Sequence, residues 1–388
     1  MKIMKKVLKL IDCLKGKKIL IPILFVLVIP SICSLILGYQ YISHVVTHVP
    51  TIIIDHDNSS SSKNLVTQIE TNEAFNVVYY SSNDYEVENL IEEGKVATGI
   101  IIPENFSTDL LNGKAPKVLV IYDAVQMSMT GATKSRISEI LGTIRSGYLM
   151  QIMQGKLEIM PELSQNYVQP MPYTTRYLGN PTKSTPNFML PGMLLNIAQI
   201  SIFILGVEIV EVRGKRYSSI WLKGIFSGLL GSISILISLM IQYYLFEMPF
   251  NGSLTGAALL TILYTIGMAN LGMLIRLIVK VRLSAVKFAM SISATVMLAG
   301  YTFPVLAMPD TIKIIARYNP FTYYGGPLRN LTLLDINFQY VLPDIAWLIK
   351  FVILMWFVTF VAYLFNNISV PNLIKRIRTL ISRKAENV

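Results

Sequence analysis

Hydrophobic residues along this chain fall into six long stretches that are almost free of charge. One stretch lies near the start, the mostly polar segment 42–187 follows, and the other five lie close together. The stretches are Ile19–Leu37, Phe188–Val207, Gly224–Phe246, Leu254–Ile275, Phe288–Met308 and Ile345–Phe365. Each is near the ~20 residues that a helix needs to cross ~30 Å of hydrocarbon. The pattern therefore predicts a polytopic α-helical membrane protein with six spans.

The charge distribution predicts the orientation of these spans. The net charge is +11, but segment 42–187 holds 10 Lys and Arg against 15 Asp and Glu, whereas the rest holds 24 against 8. The basic residues are concentrated in four short segments: Lys2–Lys18, Arg213–Lys223, Arg276–Lys287 and Lys375–Lys384. With six crossings these segments share one side, which the positive-inside rule assigns to the cytoplasm. Both termini are then cytoplasmic, segment 42–187 is external, and charge confined to span flanks argues against nucleic acid as a partner.

The external segment alternates short β-branched runs with helical ones, which is typical of an α/β domain. The predicted strands are Val49–Ile54, Phe75–Tyr80, Ala97–Ile102 and Val118–Tyr122. The predicted helices are Lys63–Thr71, Asp84–Glu93, Phe106–Leu111 and Met129–Leu157. The whole chain then divides into an amphipathic basic helix (1–18), the first span (19–41), the external domain (42–187), five further spans (188–370) and a basic tail (371–388).

The sequence offers little catalytic or metal chemistry. Three histidines, His44, His48 and His56, lie near the exit of the first span, but no H-E-x-x-H pattern accompanies them. They are either metal ligands or, as we prefer, interfacial polar residues. No G-x-x-x-x-G-K-[ST] motif occurs, so a nucleotide site is not expected. We therefore expect neither an enzyme nor a bound cofactor on this chain.

Five motifs, in order along nearly the whole chain, resemble those of one transporter family. Val49 begins V-P-T-I-I-I-D-H-D-N-S-S-S-S, and Ile102 begins I-P-E-N-F-S within a longer matching segment. Arg176 begins R-Y-L-G-N-P, which leads to F-M-L-P-G at the second span. Phe303 begins F-P-V-L-A-M-P, and Asn319 begins N-P-F-T-Y-Y. The chain thus resembles the membrane subunits of type-2 ABC exporters, in the subgroup with a large external domain between the first two spans.

This resemblance implies an ATP-driven permease that acts with other subunits. A separate cytoplasmic P-loop ATPase would hold ATP and Mg²⁺, and a second copy or a paralogous permease would complete the pore. In the family, an elbow after the second span contacts the ATPase; its counterparts here are Glu208, Glu211, Arg213 and Gly214. The family's following G-T-x-E-Q run is not kept, which puts the identity of the ATPase or the strength of coupling in question.

The resemblance also implies that short re-entrant helices close the outer mouth between spans five and six. The candidate gate residues are Phe303, Pro304, Met308, Pro309, Pro320 and Arg329. Aromatic residues of the same segment are expected at headgroup depth: Tyr301, Phe303, Tyr318, Phe321, Tyr323 and Tyr324. At the cytoplasmic mouth, Glu208 and Arg276 are close enough in the predicted topology to form an ion pair.

The function predicted from the sequence is export of a hydrophobic or amphipathic substrate, such as a lipid, peptide or drug, across a bacterial plasma membrane. Spans without central charges argue against a proton- or sodium-coupled carrier, and membrane lipid is an expected partner. An alternative from another class is a membrane-anchored adaptor or receptor of a secretion system, whose external domain binds a partner without transport. The divergent elbow favours this alternative slightly.

Overall fold

The structure is a computed structural model that describes residues 17–42, 46–155, 176, 178–181, 184–210 and 217–367. These residues divide into two compact units. The sheet unit comprises 46–155, 176 and 184–185, and the helical unit comprises 17–42, 178–181, 186–210 and 217–367. The domain boundaries given above stay predictions, and parts of them lie outside the described residues.

The sheet unit contains four strands within its described residues, as the alternation predicts. They are β1 (Val49–Asp55), β2 (Phe75–Ser81), β3 (Thr98–Ile102) and β4 (Leu119–Tyr122). Their order in the sheet is β2-β1-β3-β4, with β1 parallel to both neighbours and β4 antiparallel to β3. Helices α2 (Ser60–Glu70), α3 (Tyr85–Glu92), α4 (Phe106–Leu111) and α5 (Met127–Gly155) connect or follow the strands. The prediction of an α/β fold is confirmed.

Alternating side chains of β1 explain why helices cover both faces of this sheet. Ile53 packs in one core with α2, α4 and α5, whereas Ile52 and Ile54 pack in the other with Val87 of α3. The Asp55 carboxylate fixes the turn after β1. It accepts hydrogen bonds from the backbone N–H groups of Asp57 and Asn58 and from the Ser62 hydroxyl (2.7 Å). The acidic, serine-rich motif after Val49 is thus a helix-start device.

The helical unit contains the six predicted spans. Its helices are α1 (Lys17–Gln40), α6 (Thr185–Ile209), α7 (Tyr217–Leu245), α8 (Leu254–Ile278), α9 (Arg282–Ser293), α10 (Asp310–Tyr318), α11 (Gly325–Leu333) and α12 (Leu342–Asn367). Among the described residues, six segments are long and apolar enough to cross a membrane: Leu20–Gln40, Thr185–Ile209, Tyr217–Leu245, Leu254–Ile278, Arg282–Ala299 and Phe338–Asn366. The predicted polytopic helical fold is confirmed.

The predicted limits of span five are wrong. The span was expected at Phe288–Met308, but the helix begins at Arg282 and continues as 3₁₀ turns only to Ala299. Gly300 then adopts the left-handed conformation (φ 82°), which turns the chain out of the right-handed helix, and glycine adopts it without strain because it has no side chain. Hydropathy missed the start because Arg282 and Lys287 were assigned to a loop, whereas they lie on the first turns of α9.

A polar seam joins α1 to α7 inside the helical unit. Pro30 has no N–H, so the carbonyl of Val26 loses its normal helical donor. The Ser234 hydroxyl donates to that carbonyl at 2.5 Å. One and two turns further on, the Ser34 hydroxyl donates to the Ser238 carbonyl (2.8 Å), and Gln242 Nε2 donates to the Ser34 carbonyl (2.6 Å). These bonds matter in hydrocarbon because water cannot replace them.

Replacing Ser234 with alanine is expected to lower stability, because the Val26 carbonyl would stay buried without a donor. Interhelical hydrogen bonds in membranes contribute about 1 kcal/mol, so the melting temperature of the purified protein should fall by a few degrees. Ser31→Ala is the matched control, since the Ser31 hydroxyl bonds only the Leu27 carbonyl of its own helix. Equal melting temperatures for the two variants would contradict the account of the seam.

Candidate functional site

Glu208 of the predicted elbow and Arg329 of the predicted gate lie at opposite ends of α6. About 20 residues separate Phe188 from Glu208, so the helix rises ~30 Å between them, the thickness of the bilayer core. We call the two regions the elbow end (around Glu208) and the gate end (around Phe188). Each is built by side chains from several helices. The roles assigned to these residues from the sequence stay predictions.

At the elbow end, Glu208 pairs with Arg282 rather than with Arg276. Arg282 Nε donates to Glu208 Oε1 at 2.7 Å, and the Glu208 side chain is only 12% exposed. Arg276 instead donates to the carbonyls of Val279 and Lys280, which closes the end of its own helix α8. The predicted Glu208–Arg276 pair is therefore wrong, and the last turn of α6 is tied to the start of α9.

Further side chains fasten helix ends at the same place. The sequence predicts Lys223 in the basic segment between spans two and three, but the residue lies in α7 and is buried. Its Nζ donates to the Ile209 carbonyl at the end of α6 (2.8 Å). A cation at a helix C-terminus satisfies a carbonyl and complements the helix dipole. Asn366 of α12 likewise donates to the Leu277 carbonyl of α8 (2.8 Å). Five spans thus converge where the elbow begins.

Three predicted elbow residues, Glu211, Arg213 and Gly214, lie outside the described residues. Of the predicted elbow, the structure therefore places only Glu208. The sequence missed Lys223 and Asn366 because a basic or amide residue near a span end resembles an ordinary flank. The position of Lys223 gave a signal, since this residue directly precedes Gly224, where the predicted span begins.

At the gate end, Arg329 lies on two aromatic rings. Its guanidinium carbon is 4.4 Å from the centroid of Phe188 and 4.7 Å from that of Tyr301, and its Nη1 donates to the Tyr301 carbonyl (2.9 Å). Burial lowers the pKa of Arg329, but the guanidinium stays charged because its ordinary pKa is so high. Such cation–π contacts fasten α11 to the start of α6.

The other predicted gate residues do not form one cluster. Phe303 and Pro304 are exposed, whereas Met308 is buried. Pro309 precedes α10, and Pro320 begins a 3₁₀ turn capped by the Asn319 side chain, which accepts from Phe321 N (3.0 Å). The prolines therefore start short helices, as proline does at a first helical position. That these helices are re-entrant or close a mouth stays a prediction.

Three of the six aromatic residues expected at headgroup depth are buried in the protein, and their depth in a membrane stays a prediction. Tyr301, Phe321 and Tyr324 are buried in the core of the helical unit. Tyr324 stacks on Tyr264 of α8 with ring centroids 4.2 Å apart, and its hydroxyl is 3.1 Å from that of Thr261. Hydrophobic segments rich in tyrosine fit a protein core as well as an interface, so composition alone did not separate the two.

The described residues hold no group of three or more His, Cys, Asp or Glu placed to bind a metal. His44 lies outside the described residues, and His56 Nε2 is 2.8 Å from Asp84 Oδ1. At the elbow end and the gate end, the helices are linked by an ion pair, helix caps and aromatic contacts.

Sequence comparison identifies the class of protein. Residues 19–361 match the model of the ABC-2 family transporter proteins, so this chain belongs to that family. It is 23% identical over 303 residues to "Probable multidrug ABC transporter permease YbhS" of Escherichia coli strain K12, covering 72% of this chain and 76% of that protein. Its identity to "Probable multidrug ABC transporter permease YbhR" of the same strain is 22% over 338 residues, covering 83% and 86%. No solved structure matches the chain.

A third relative matches over a smaller part of its own length. "ABC transporter G family member 20" of Dictyostelium discoideum is 27% identical over 222 residues, covering 52% of this chain and 29% of that protein. The recognition of an ABC-2 transporter membrane subunit from its motifs is thus confirmed at the level of the family. The narrower subgroup, defined by an external domain between the first two spans, stays a prediction.

Proposed function

We propose that this chain is the permease subunit of an ATP-driven exporter that moves hydrophobic or amphipathic compounds out of the cell. The observation that carries the proposal is the family match over residues 19–361, together with relatives described as multidrug ABC transporter permeases. Lipids, amphipathic peptides and drugs are the substrate classes that fit. The cell membrane, with both termini in the cytoplasm, is the location proposed from the basic segments.

The distribution of charge within the spans supports an apolar substrate path. In the described spans, Glu208, Lys223, Arg276 and Arg282 lie at the elbow end, where they make the ion pair and helix caps described above. Lys287 lies in the second turn of α9, and Asp344 and the exposed Lys350 lie in the first three turns of α12, in the half away from the elbow end. A carrier driven by an ion gradient generally places ionisable groups near the bilayer midplane. Energy from ATP on a separate subunit suits this arrangement better.

The elbow end supports a partner that drives the spans from one side. Side-chain bonds join α6 to α7 and α9, and α8 to α12, and a shared apolar cluster that includes Ile209, Ile220 and Leu277 joins the two groups. A push on the segment after Glu208 would therefore reach several spans at once. We assign this push to a cytoplasmic P-loop ATPase that carries ATP and Mg²⁺. A second copy of the chain or a paralogous permease would supply the other half of the path.

A pull-down of the tagged full-length chain from its native membrane in mild detergent tests the proposal. We expect a stoichiometric P-loop ATPase that is lost when Glu211 and Arg213 are both replaced by alanine. The matched control is Asp310→Ala with Lys313→Ala, which removes an exposed acidic–basic pair from α10. Capture of an external or secretion-system protein without an ATPase would contradict the proposal and favour the adaptor.

A further inference from the structure

Tyr301 makes an unusual contact with the backbone of α6 at the gate end. Its hydroxyl accepts a hydrogen bond from Gly192 N (2.9 Å) and donates one to the Phe188 carbonyl (3.0 Å). In a regular α-helix, the N–H of residue 192 bonds the carbonyl of residue 188 directly. The hydroxyl therefore bonds both members of one helical pair, from a segment more than a hundred residues away.

The sequence of α6 prepares this turn for such an insertion. Pro191 has no N–H for the carbonyl of Asn187, so the preceding helical bond cannot form. At Gly192, an added Cβ would lie 2.1 Å from Tyr301 Cε1, so only glycine lets the ring approach the helix backbone. Proline and inserted side-chain groups are two of the established causes of helix kinks. Both act on the same turn here.

The tyrosine is held in place from several sides. Its ring lies against Arg329 and packs edge-on against Phe321 with centroids 5.9 Å apart. The Arg329 bond to the Tyr301 carbonyl fixes its main chain, and Gly300 before it has the left-handed conformation. Burial raises the pKa of Tyr301 to about 12, so the hydroxyl keeps the proton that it donates. The contact is thus a buried latch between α6 and the segment after span five.

We propose that Tyr301 is a positioning residue for transport: its hydroxyl holds the Pro191–Gly192 turn of span two open, and its release lets this turn rearrange as the path opens and closes. The inference rests on the proposed export function. In this proposal, Arg329 holds Tyr301 in position through its contacts with the ring and the carbonyl. Interfaces with two alternative packings are the elements through which small local changes become transport steps.

The decisive variant is Tyr301→Phe, which removes the hydroxyl and keeps the ring. In native cells whose own gene is replaced, we expect ethidium efflux to fall by about fivefold or more, the factor that one hydrogen bond corresponds to. The ethidium concentration for half-maximal efflux should stay unchanged, because the hydroxyl acts on the conformational step and not on binding. Tyr318→Phe, at an exposed tyrosine of the same segment, is the matched control and should leave efflux unchanged.

A second variant separates transport from mere stability. Tyr301→Phe leaves Gly192 N and the Phe188 carbonyl without the hydroxyl and should lower the melting temperature. Pro191→Ala restores the missing N–H, which lets the turn close into regular helix with a direct bond from Gly192 N to the Phe188 carbonyl. The double variant should therefore recover the melting temperature. Efflux should stay low, because the turn would then remain closed and no Tyr301 hydroxyl would be present to open it. Recovery of efflux together with stability, or normal efflux in Tyr301→Phe, would overturn the inference. If the unaltered protein exports no ethidium, the export function fails instead, whereas the melting temperatures still report the latch.

Discussion

Gly206→Ala and Gly272→Ala should each destabilise the helical unit by about 2 kcal/mol or more, the range found for overpacked cores. An added Cβ on Gly206 would lie 2.4 Å from the Ala269 carbonyl oxygen, and one on Gly272 would lie 2.6 Å from the Phe203 carbonyl oxygen. Both obstacles are backbone atoms, which cannot rotate away. The close crossing of α6 and α8 therefore depends on these two glycines, as small residues do at helix crossings in membranes.

Thermal unfolding of the purified variants, followed by size-exclusion chromatography, measures this effect. Gly326→Ala is the control within the helical unit, because no heavy atom outside its own helix lies within 4 Å of its added Cβ. It should be neutral or slightly stabilising, since alanine is the better helix former. If Gly206→Ala unfolds at the same temperature as Gly326→Ala, the close crossing of α6 and α8 is incorrect.

Reversing the charge of Glu208 should impair export, and exchanging it with Arg282 should restore it. Glu208→Lys would place a cation at a nearly buried position beside the guanidinium of Arg282, whose side chain is 61% exposed. The new charge would be desolvated and repelled by its neighbour. We expect about a tenfold fall in ethidium efflux, which corresponds to about 1.4 kcal/mol. Glu208→Lys with Arg282→Glu should recover most of it, because the pair is formed again with its charges exchanged.

The matched control is Glu208→Lys with Arg276→Glu. Arg276 donates to two backbone carbonyls at the end of its own helix and makes no ion pair with Glu208, so this double variant should be no better than Glu208→Lys alone. Membrane abundance, measured by immunoblot, separates lost transport from lost protein. Equal rescue by both double variants would contradict the specific pairing of Glu208 with Arg282.

Much of the fold follows from local sequence patterns. Uniform hydrophobicity over about 20 residues locates a span, and the alternation of β-branched runs with helical periods located all four strands of the described sheet. The Asp55 turn was also visible, because an acidic residue followed by serines is a common helix start. These features depend on neighbours in sequence, so no knowledge of the packed structure was needed.

Partnerships between distant residues could not be read in the same way. Arg276 and Arg282 lie six residues apart at the same end of the unit, and only the packed helices show that Arg282 faces Glu208. From the sequence, Tyr301 was expected at the membrane interface. Its contacts could not be predicted because its partners, Phe188 and Gly192, lie in span two, more than a hundred residues away. The role of Gly206 was equally hidden, because a glycine in a span looks the same in the sequence whether or not two helices cross closely there.

ATP-driven uptake of ethidium into inside-out vesicles from native membranes tests the central proposal most directly. We predict rapid uptake with ATP and Mg²⁺, none with a non-hydrolysable analogue, and loss of uptake when the gene for this chain is deleted. Uptake should also survive an ionophore that collapses the proton gradient. Uptake that is unaffected by the deletion, or that is driven by the proton gradient without ATP, would contradict an ATP-driven permease.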